Sequence, residues 1–384
     1  EIKKMAAKIK YLVSQLSGIV SANRMKRILG VVALFIGVSF TNTVSAQYFV
    51  SPVQNPFGFT PTNSYFSVPA LADLDADGDL DVLTNTVVGT QYSYGHTFAY
   101  EQNIGSSVNT QFSLPLVEPF GLSAPTLDTL TVIQFHNLVD MDDDGDFDML
   151  VHALQYNYDT TTYLSPIATE FRYYENTGSA TSPMFSNPIT SPFGLVDRPV
   201  INIGDLIDID NDGDFDMISK EISYGSYTGN FVFFENIGSP SNPQFSIPQT
   251  NPFGSNSVNG YGIDSPALTD LDGDGDLDLL SSSPYTGFLY FENTGSISNP
   301  QFSLPALNPF GLSADTTNDE GVTIVEFGDM DSDGDMDIIL GGYYGSISYY
   351  ENTSINSSIK EIEDIELNIY PNPVNNTLNV SSDK

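Results

Sequence analysis

The sequence has no cysteine and no tryptophan, only three histidines, and 12 lysines and arginines against 49 acidic residues. Without cysteine there are no disulfides and no thiolate chemistry, and the zinc and iron sites that depend on sulfur ligands are excluded. The histidines, His96, His136 and His152, have no nucleophile or second base at a readable spacing, so none is read as a catalyst. No phosphate-cradling glycine loop and no Gly-x-Ser-x-Gly elbow occurs. Basic residues are scarcer than the total suggests. Seven precede residue 28, and only Arg172, Arg198, Lys220, Lys360 and Lys384 follow it. A chain so acidic has no electrostatic footprint for nucleic acid. Long apolar runs are also missing. The longest, Ile28 to Phe40, is too short to cross a bilayer, so no membrane span is expected.

What the chain has in abundance is aspartate, arranged with a strict period. Asp73, Asp75, Asp77, Asp79 and Asp81 alternate with other residues, and Gly78 stands at the sixth position. The pattern recurs as Asp140, Asp142, Asp144, Asp146 and Asp148; as Asp208, Asp210, Asp212, Asp214 and Asp216; as Asp270, Asp272, Asp274, Asp276 and Asp278; and as Asp329, Asp331, Asp333, Asp335 and Asp337. Each copy keeps glycine at position 6. Carboxylates this crowded repel one another unless a cation lies among them. Hard oxygen ligands on a sharply turning loop suit a large cation that accepts six to eight of them, which is calcium. The loops are not EF-hands, because position 12 holds Thr84, Val151, Ser219, Ser281 or Leu340 where a bidentate glutamate belongs. About five calcium ions are expected.

The loops open 67, 68, 62 and 59 residues apart, a period that signals supersecondary units packed side by side. An apolar pair follows each loop, such as Val82-Leu83 or Met149-Leu150. An aromatic strand then ends in Glu-Asn, with Glu101, Glu175, Glu235, Glu292 and Glu351 taken as its repeated acid. One copy per unit gives those glutamates a structural hydrogen bond rather than a catalytic role. A Gln-Phe strand and a Pro-Phe-Gly turn close the unit. Four short antiparallel strands per unit make an all-β, five-bladed β-propeller. The segment from Phe49 to Gly58 aligns with Phe302 to Gly311, whereas the last unit stops after Asn352. The N-terminal strand is therefore expected to complete the last blade and close the ring, which removes two exposed sheet edges.

Met25-Lys26-Arg27, the apolar run and Val44-Ser45-Ala46 have the form of a secretory signal peptide over residues 25–46. Residues 1–24 lie upstream of it and are left out of the fold, and the mature chain is expected to begin at Gln47. The propeller spans 47–354, and residues 355–366 form a polar linker.

The acidic loop between the first and second strands of each blade, with its repeated Phe-Gly turns, resembles FG-GAP and VCBS-type repeats, which include the calcium-binding blades of integrin α-subunits. The resemblance covers roughly residues 47–354. It implies side-chain ligands at positions 1, 3, 5 and 9 and a backbone carbonyl at position 7, leaving the position-7 carboxylate to face solvent or an outer water. Residues 367–384, with alternating apolar residues around Tyr370-Pro371-Asn372-Pro373, resemble the start of the C-terminal sorting domain read by the type IX secretion machinery. That implies a protein secreted from, or held on the outer surface of, a Gram-negative bacterium.

From position 9 of each loop to the Glu of the aromatic strand there are 20, 27, 19, 14 and 14 residues, so the second hairpin is enlarged in the first three blades. Strand geometry puts these hairpins on the face opposite the acidic loops. They carry Tyr92, Tyr94, Tyr156, Tyr158, Tyr163, Tyr224 and Tyr227 among small polar residues, a composition suited to contacting an extracellular protein or glycan. The leading expectation is a calcium-stabilised adhesion or recognition module. The alternatives are a glycan-active enzyme, which needs an acid pair on the central axis and draws attention to the non-repeating Glu221 and Glu326, or a passive structural repeat.

Overall fold

A computed structural model describes Tyr48–Pro61 and residues 67–90, 93–123, 131–159, 163–196, 201–223, 228–255, 258–259, 263–283, 287–313, 322–342, 345–353, 367–370 and 379–382. All of them fall in one compact unit, Ala46–Lys384. The expected signal peptide and linker lie outside the described residues.

The protein is a five-bladed β-propeller of four-stranded antiparallel blades. The first blade comprises Ser67–Ala72, Asp81–Thr90, Ser93–Glu101 and Leu116–Val117 in spatial order. The second comprises Thr131–Val139, Asp148–Asp159, Tyr163–Tyr174 and Ile189–Thr190, and the third Ile201–Ile207, Asp216–Ser223, Thr228–Phe234 and Gln249–Thr250. The fourth is built from Pro266–Thr269, Asp278–Ser283, Gly287–Phe291 and Ala306–Leu307, and the fifth from Val322–Gly328, Asp337–Gly341 and Ile347–Tyr350. The five first strands contact one another in cyclic order, the last touching the first, so they line the axis.

The apolar pairs after each loop explain how the blades stack. Successive strand residues point to opposite faces, and in a propeller both faces are covered by a neighbouring blade. Met149 therefore packs toward the first blade with Leu83 and Phe98, while Leu150 packs toward the third with Val232 and Phe234. Val82-Leu83, Met217-Ile218, Leu279-Leu280 and Ile338-Ile339 divide in the same way, and all ten residues are fully buried. The core is thus five separate apolar layers, one between each pair of adjacent blades.

The fifth blade takes its outer strand from the other end of the chain. Val53 pairs with Tyr349, Gln54 with Ser348, and Phe49 bridges to Asn352. A second connection runs around the ring at the turns. Phe112, Phe185, Phe245 and Phe302 each donate a backbone N–H to the carbonyl of the preceding turn phenylalanine, Phe57, Phe120, Phe193 or Phe253. The fifth such bond, from Phe49 to Phe310 at 2.8 Å, joins the chain's beginning to its last turn.

The segment between the third and fourth blades was not anticipated. Val258–Asn259 pairs with Thr228–Gly229, and Ile263–Asp264 runs parallel to Val322–Thr323. Beyond the propeller, Leu367–Tyr370 and Asn379–Ser382 form an antiparallel pair.

Phe49, only 1% exposed, packs between the last two blades and anchors the closing strand. Phe49→Ala is expected to cost about 3–5 kcal/mol in chemical denaturation, whereas Leu304→Ala, at 78% exposure, should stay within about 0.5 kcal/mol.

Candidate metal centres on one face of the ring

Each acidic loop joins the first strand of a blade to the second, so the five loops share one face. The backbone of every loop takes the same path. Position 6 has φ between 93° and 100° in all five copies, a conformation open only to glycine. A Cβ at Gly78 or Gly145 would touch nothing within 4 Å, so the constraint is the dihedral and not space. Position 4 is also left-handed, at Ala76, Asp143, Asn211, Gly273 and Ser332.

The position-1 carboxylate organises this path. Asp73 accepts the N–H of Asp77 and of Gly78, each at 3.0 Å. Asp140, Asp208, Asp270 and Asp329 accept the equivalent pairs at 3.0–3.1 Å. Positions 1, 3 and 5 then bring one carboxylate oxygen each to within 4.8 Å of the others in the first, second, third and fifth loops. In the fourth the group is Asp270, Asp272 and Asp278. Five groups could therefore hold a metal ion.

Positions 3 and 7 provide the test of fit. Asp75, Asp142 and Asp210 at position 3, and Asp79, Asp146, Asp214, Asp276 and Asp335 at position 7, each keep a buried carboxylate oxygen with no hydrogen-bond partner. Position 7 therefore does not face solvent, contrary to what the resemblance left open. Its side chain is turned inward, 5–9% exposed in four of the loops. A buried, unpaired carboxylate oxygen is costly, and a cation removes that cost. Burial, followed by the charges of neighbouring aspartates, pushes Asp79, Asp214 and Asp276 up to about 6 and Asp335 to about 7.

Position 9 is a different kind of carboxylate, fully enclosed and, in four of the blades, held by three donors. Asp148 accepts the Met141 N–H at 3.2 Å, the Tyr173 hydroxyl at 2.7 Å and the Asn176 N–H at 2.7 Å. Asp81, Asp278 and Asp337 repeat the set with Tyr100, Tyr290 and Tyr349. Each tyrosine ring also meets the next turn phenylalanine edge-on at 4.8–4.9 Å, which links loop to turn. The third blade departs from this set. Phe233 replaces the tyrosine, and Asp216 Oδ2 is buried without a partner. Burial pushes Asp216 up to about 8, against about 7 for the other four.

The repeated glutamate needs one correction. The bond from Asn103 N–H to Asp81 puts Asn103 in register with Asn176, so the residue equivalent to Glu175 is Gln102, not Glu101. Glu101 instead occupies the place of Tyr174, buried and accepting the Thr60 N–H at 3.2 Å. No residue is inserted, since Tyr100 precedes Asn103 by as many positions as Tyr173 precedes Asn176; the glutamate simply stands one place earlier in the first blade. Among the described residues, Glu175, Glu235, Glu292 and Glu351 make their repeated hydrogen bond through the main chain and not through the side chain. It is their main-chain carbonyls that accept a neighbouring N–H. Burial first, then neighbouring aspartates, raise Asp142, Asp210 and Asp272 at position 3, and the carboxylates of Glu175, Glu235 and Glu292 add a smaller contribution. In the first blade Gln102 hydrogen-bonds Asp75 directly.

On the opposite face, the enlarged hairpins are longer strands and not longer loops. Pairing continues to Thr90↔Ser93, Asp159↔Tyr163 and Ser223↔Thr228. Tyr94, Tyr156, Tyr158 and Tyr163 belong to these ribbons, while Tyr92, Tyr224 and Tyr227 lie outside the described residues. All three histidines are buried, and desolvation pushes His96 and His136 down to about 4, so both are neutral at pH 7. Glu221, on the second strand of the third blade, does not line a cavity with Glu326. Asp205, which the sequence reading passed over, does.

Residues 270–340 match the FG-GAP-like repeat family. That stretch holds the fourth and fifth acidic loops. No curated protein matches the chain. Among solved structures, the chain is similar to part of the Photorhabdus luminescens Tc holotoxin pore, at 17% identity and a TM-score of 0.34. The match covers 81% of this chain and 15% of that one, so the chain spans a small part of its length.

The orphaned oxygen of Asp216 predicts that Phe233→Tyr stabilises the protein. Because the Phe233 and Phe253 rings meet at 4.8 Å, like the Tyr-Phe pairs, the new hydroxyl should reach Oδ2 and add about 1 kcal/mol in denaturant unfolding, while Tyr290→Phe should cost about 1–3 kcal/mol.

Proposed function

We propose that this is a calcium-stabilised recognition propeller that works outside the cell. The observation that carries the reading is the fivefold group of convergent aspartates, with buried, unpartnered oxygens at position 7 of every loop and at position 3 of three. Their chemistry is hard oxygen throughout, and the number of carboxylates per loop exceeds what a six-ligand, water-retaining magnesium uses. Calcium in this reading is structural. It neutralises the loops, and through the loops it holds the first and second strands of each blade.

The signal-like N-terminal segment supports export, and the Tyr370-Pro371-Asn372-Pro373 segment supports passage through type IX secretion to the medium or the cell surface. The partner is an extracellular protein or glycan, met by the tyrosine-bearing ribbons on the face away from the metal loops. The ribbons are long in three blades and short in two, a difference between blades that a partner could read.

Chelation at pH 7.5 is expected to lower the melting temperature strongly, with calcium restoring it better than magnesium. The aspartates at positions 3, 7 and 9 have raised native pKa values, chiefly through burial, so protons bind the folded state more readily than the unfolded one. The penalty is therefore full above about pH 8 and fades as the pH falls toward the ordinary carboxylate range. Acidifying the chelated protein toward pH 5 should recover part of the lost melting temperature, and a chelated protein that melts unchanged at pH 7.5 would refute structural calcium.

Recognition is tested separately with glycan and matrix-protein arrays probed by the calcium-loaded protein. A Tyr156→Ala/Tyr158→Ala double variant with unchanged melting should lose at least tenfold in binding to any hit. Equal binding by the variant would remove the ribbons from the reading.

A further inference from the structure

Four polar side chains are enclosed in the otherwise apolar layer between the first and second blades. Asn85 and Gln134 are completely buried there, and His96 and His136 nearly so. Gln134 and His136 stand two apart on the first strand of the second blade, so both turn to the first blade. The Asn85 amide nitrogen donates to Gln134 Oε1 across the seam at 3.4 Å and lies 3.5 Å from His96 Nδ1 within its own blade. His136 reaches the other way, its Nε2–H donating to the Leu83 carbonyl at 3.1 Å. The Phe98 ring meets both imidazoles edge-on, at 6.3 Å from His96 and 5.5 Å from His136.

This network is incomplete. Asn85 Oδ1, His96 Nε2, Gln134 Nε2 and His136 Nδ1 are each buried with no partner among the described residues. The bonds that are made fix what a further proton would meet. With its Nε2–H given to Leu83, His136 can take one only on Nδ1, which has no acceptor. On His96 it would enter at Nδ1, against the Asn85 amide. No carboxylate of the packed strands is free to balance either ring. Glu170 pairs with Arg172 at 2.8 Å, and Tyr174 hydrogen-bonds Arg172. Asp81 and Asp148 lie at the loop ends of the second strands on their own tyrosines, Glu101 holds the Thr60 N–H, and Asp205 holds the Leu268 N–H. His152 stacks on Phe171, which faces the third blade. Of these groups Arg172 bears on His96, and its charge opposes a second positive one.

We propose that this layer is an acid-sensitive seam, in which protonation of His96 and His136 parts the first two blades locally while the other four layers stay packed. A buried cation with neither acceptor nor counter-charge is costly, whereas water solvates it once the seam opens. Desolvation accordingly holds both rings far below the ordinary histidine range. The open seam binds more protons than the closed one, so closure is fully favoured above about pH 6.5 and weakens as the pH falls toward 4. The seam lies at the root of two long ribbons, whose pairing runs on to Thr90↔Ser93 and Asp159↔Tyr163. Acid therefore releases a partner held by those ribbons, a consequence that rests on the recognition reading, as the seam itself does not. Two histidines do not reverse the recovery expected of the chelated protein in acid, because the raised aspartates of five loops outnumber them.

The chain has no cysteine, so one introduced thiol reports on one layer. Ala153 is fully buried on the seam face, paired with Gln134, and Ala267 is buried between the fourth and fifth blades. Labelling of Ala153→Cys and of Ala267→Cys by a pyridyl disulfide, each rate divided by that of the unfolded chain, is compared at pH 7.5 and 5.5 in the calcium-loaded full chain. Protection at the Ala153→Cys probe should fall about 100-fold relative to the Ala267→Cys probe, about tenfold for each histidine. Adding His96→Asn and His136→Gln, which stay neutral and keep the acceptor toward Asn85 and the donor toward Leu83, should abolish the fall. His136→Gln alone should leave about a tenfold fall. An equal response to pH at both probes, or a fall that survives the double replacement, would overturn the proposal. Because each variant is compared with itself at two pH values, the result does not depend on what the replacements do to overall stability. A seam that answers to acid while array hits stay bound at pH 5.5 would count against the ribbons as the partner surface and not against the seam.

Discussion

The carboxylate at the ninth position of each acidic loop is the interaction on which the rest of a blade depends. It is buried, and it accepts hydrogen bonds from the start of its own loop, from a tyrosine on the third strand and from the main chain beyond that strand. The start of the loop and the end of the third strand thus meet on one group. The tyrosine ring in turn packs against the phenylalanine of the next turn, so the position of the acidic loop is transmitted to the outer edge of the blade. Charged acceptors make stronger hydrogen bonds than neutral ones, which offsets the cost of enclosing the carboxylate. Where the tyrosine is missing, in the third blade, that cost is met least well.

The same loop separates two tasks among chemically identical residues. Position 7 in every loop, and position 3 in the first three, carries a buried oxygen with no protein donor, whereas position 9 carries oxygens that the protein satisfies in every blade but the third. The difference is one of backbone direction. The left-handed turns at positions 4 and 6 direct the loop amides back onto position 1, while position 9 already belongs to the second strand and points into the blade. An alternating run of five aspartates thus divides into carboxylates that converge within the loop and one turned into the blade, with Asp278 belonging to both.

The fold was largely legible in the sequence because its constraints are local and repeated. Five in-register loops, the apolar pairs and the offset between Phe49 and Phe302 led to a closed five-bladed ring. The apolar pairs in particular have one physical reading, strands covered on both faces. What misled was register at a single residue. Glu101 matches the pattern by type, but the hydrogen bond from Asn103 shows that Gln102 holds that place. A one-residue slip is invisible when matches are made by letter and decisive when they are made by hydrogen bonds. The inward turn of the position-7 carboxylates was equally hidden, since nothing local distinguishes an aspartate facing water from one facing its neighbours.

The chain's own composition and period settled the architecture, the place of the acidic loops and the chemical hardness of any ion they hold, because carboxylate spacing and glycine dihedrals act over a few residues. The meeting of Asp205 with Glu326 could be settled only by the closed ring. They stand at the same point of two repeats, 121 residues apart in the sequence, and nothing in either repeat announces the other. Closing five twisted blades around an axis brings equivalent positions together, and small residues at one of them leave the space that the two acids share.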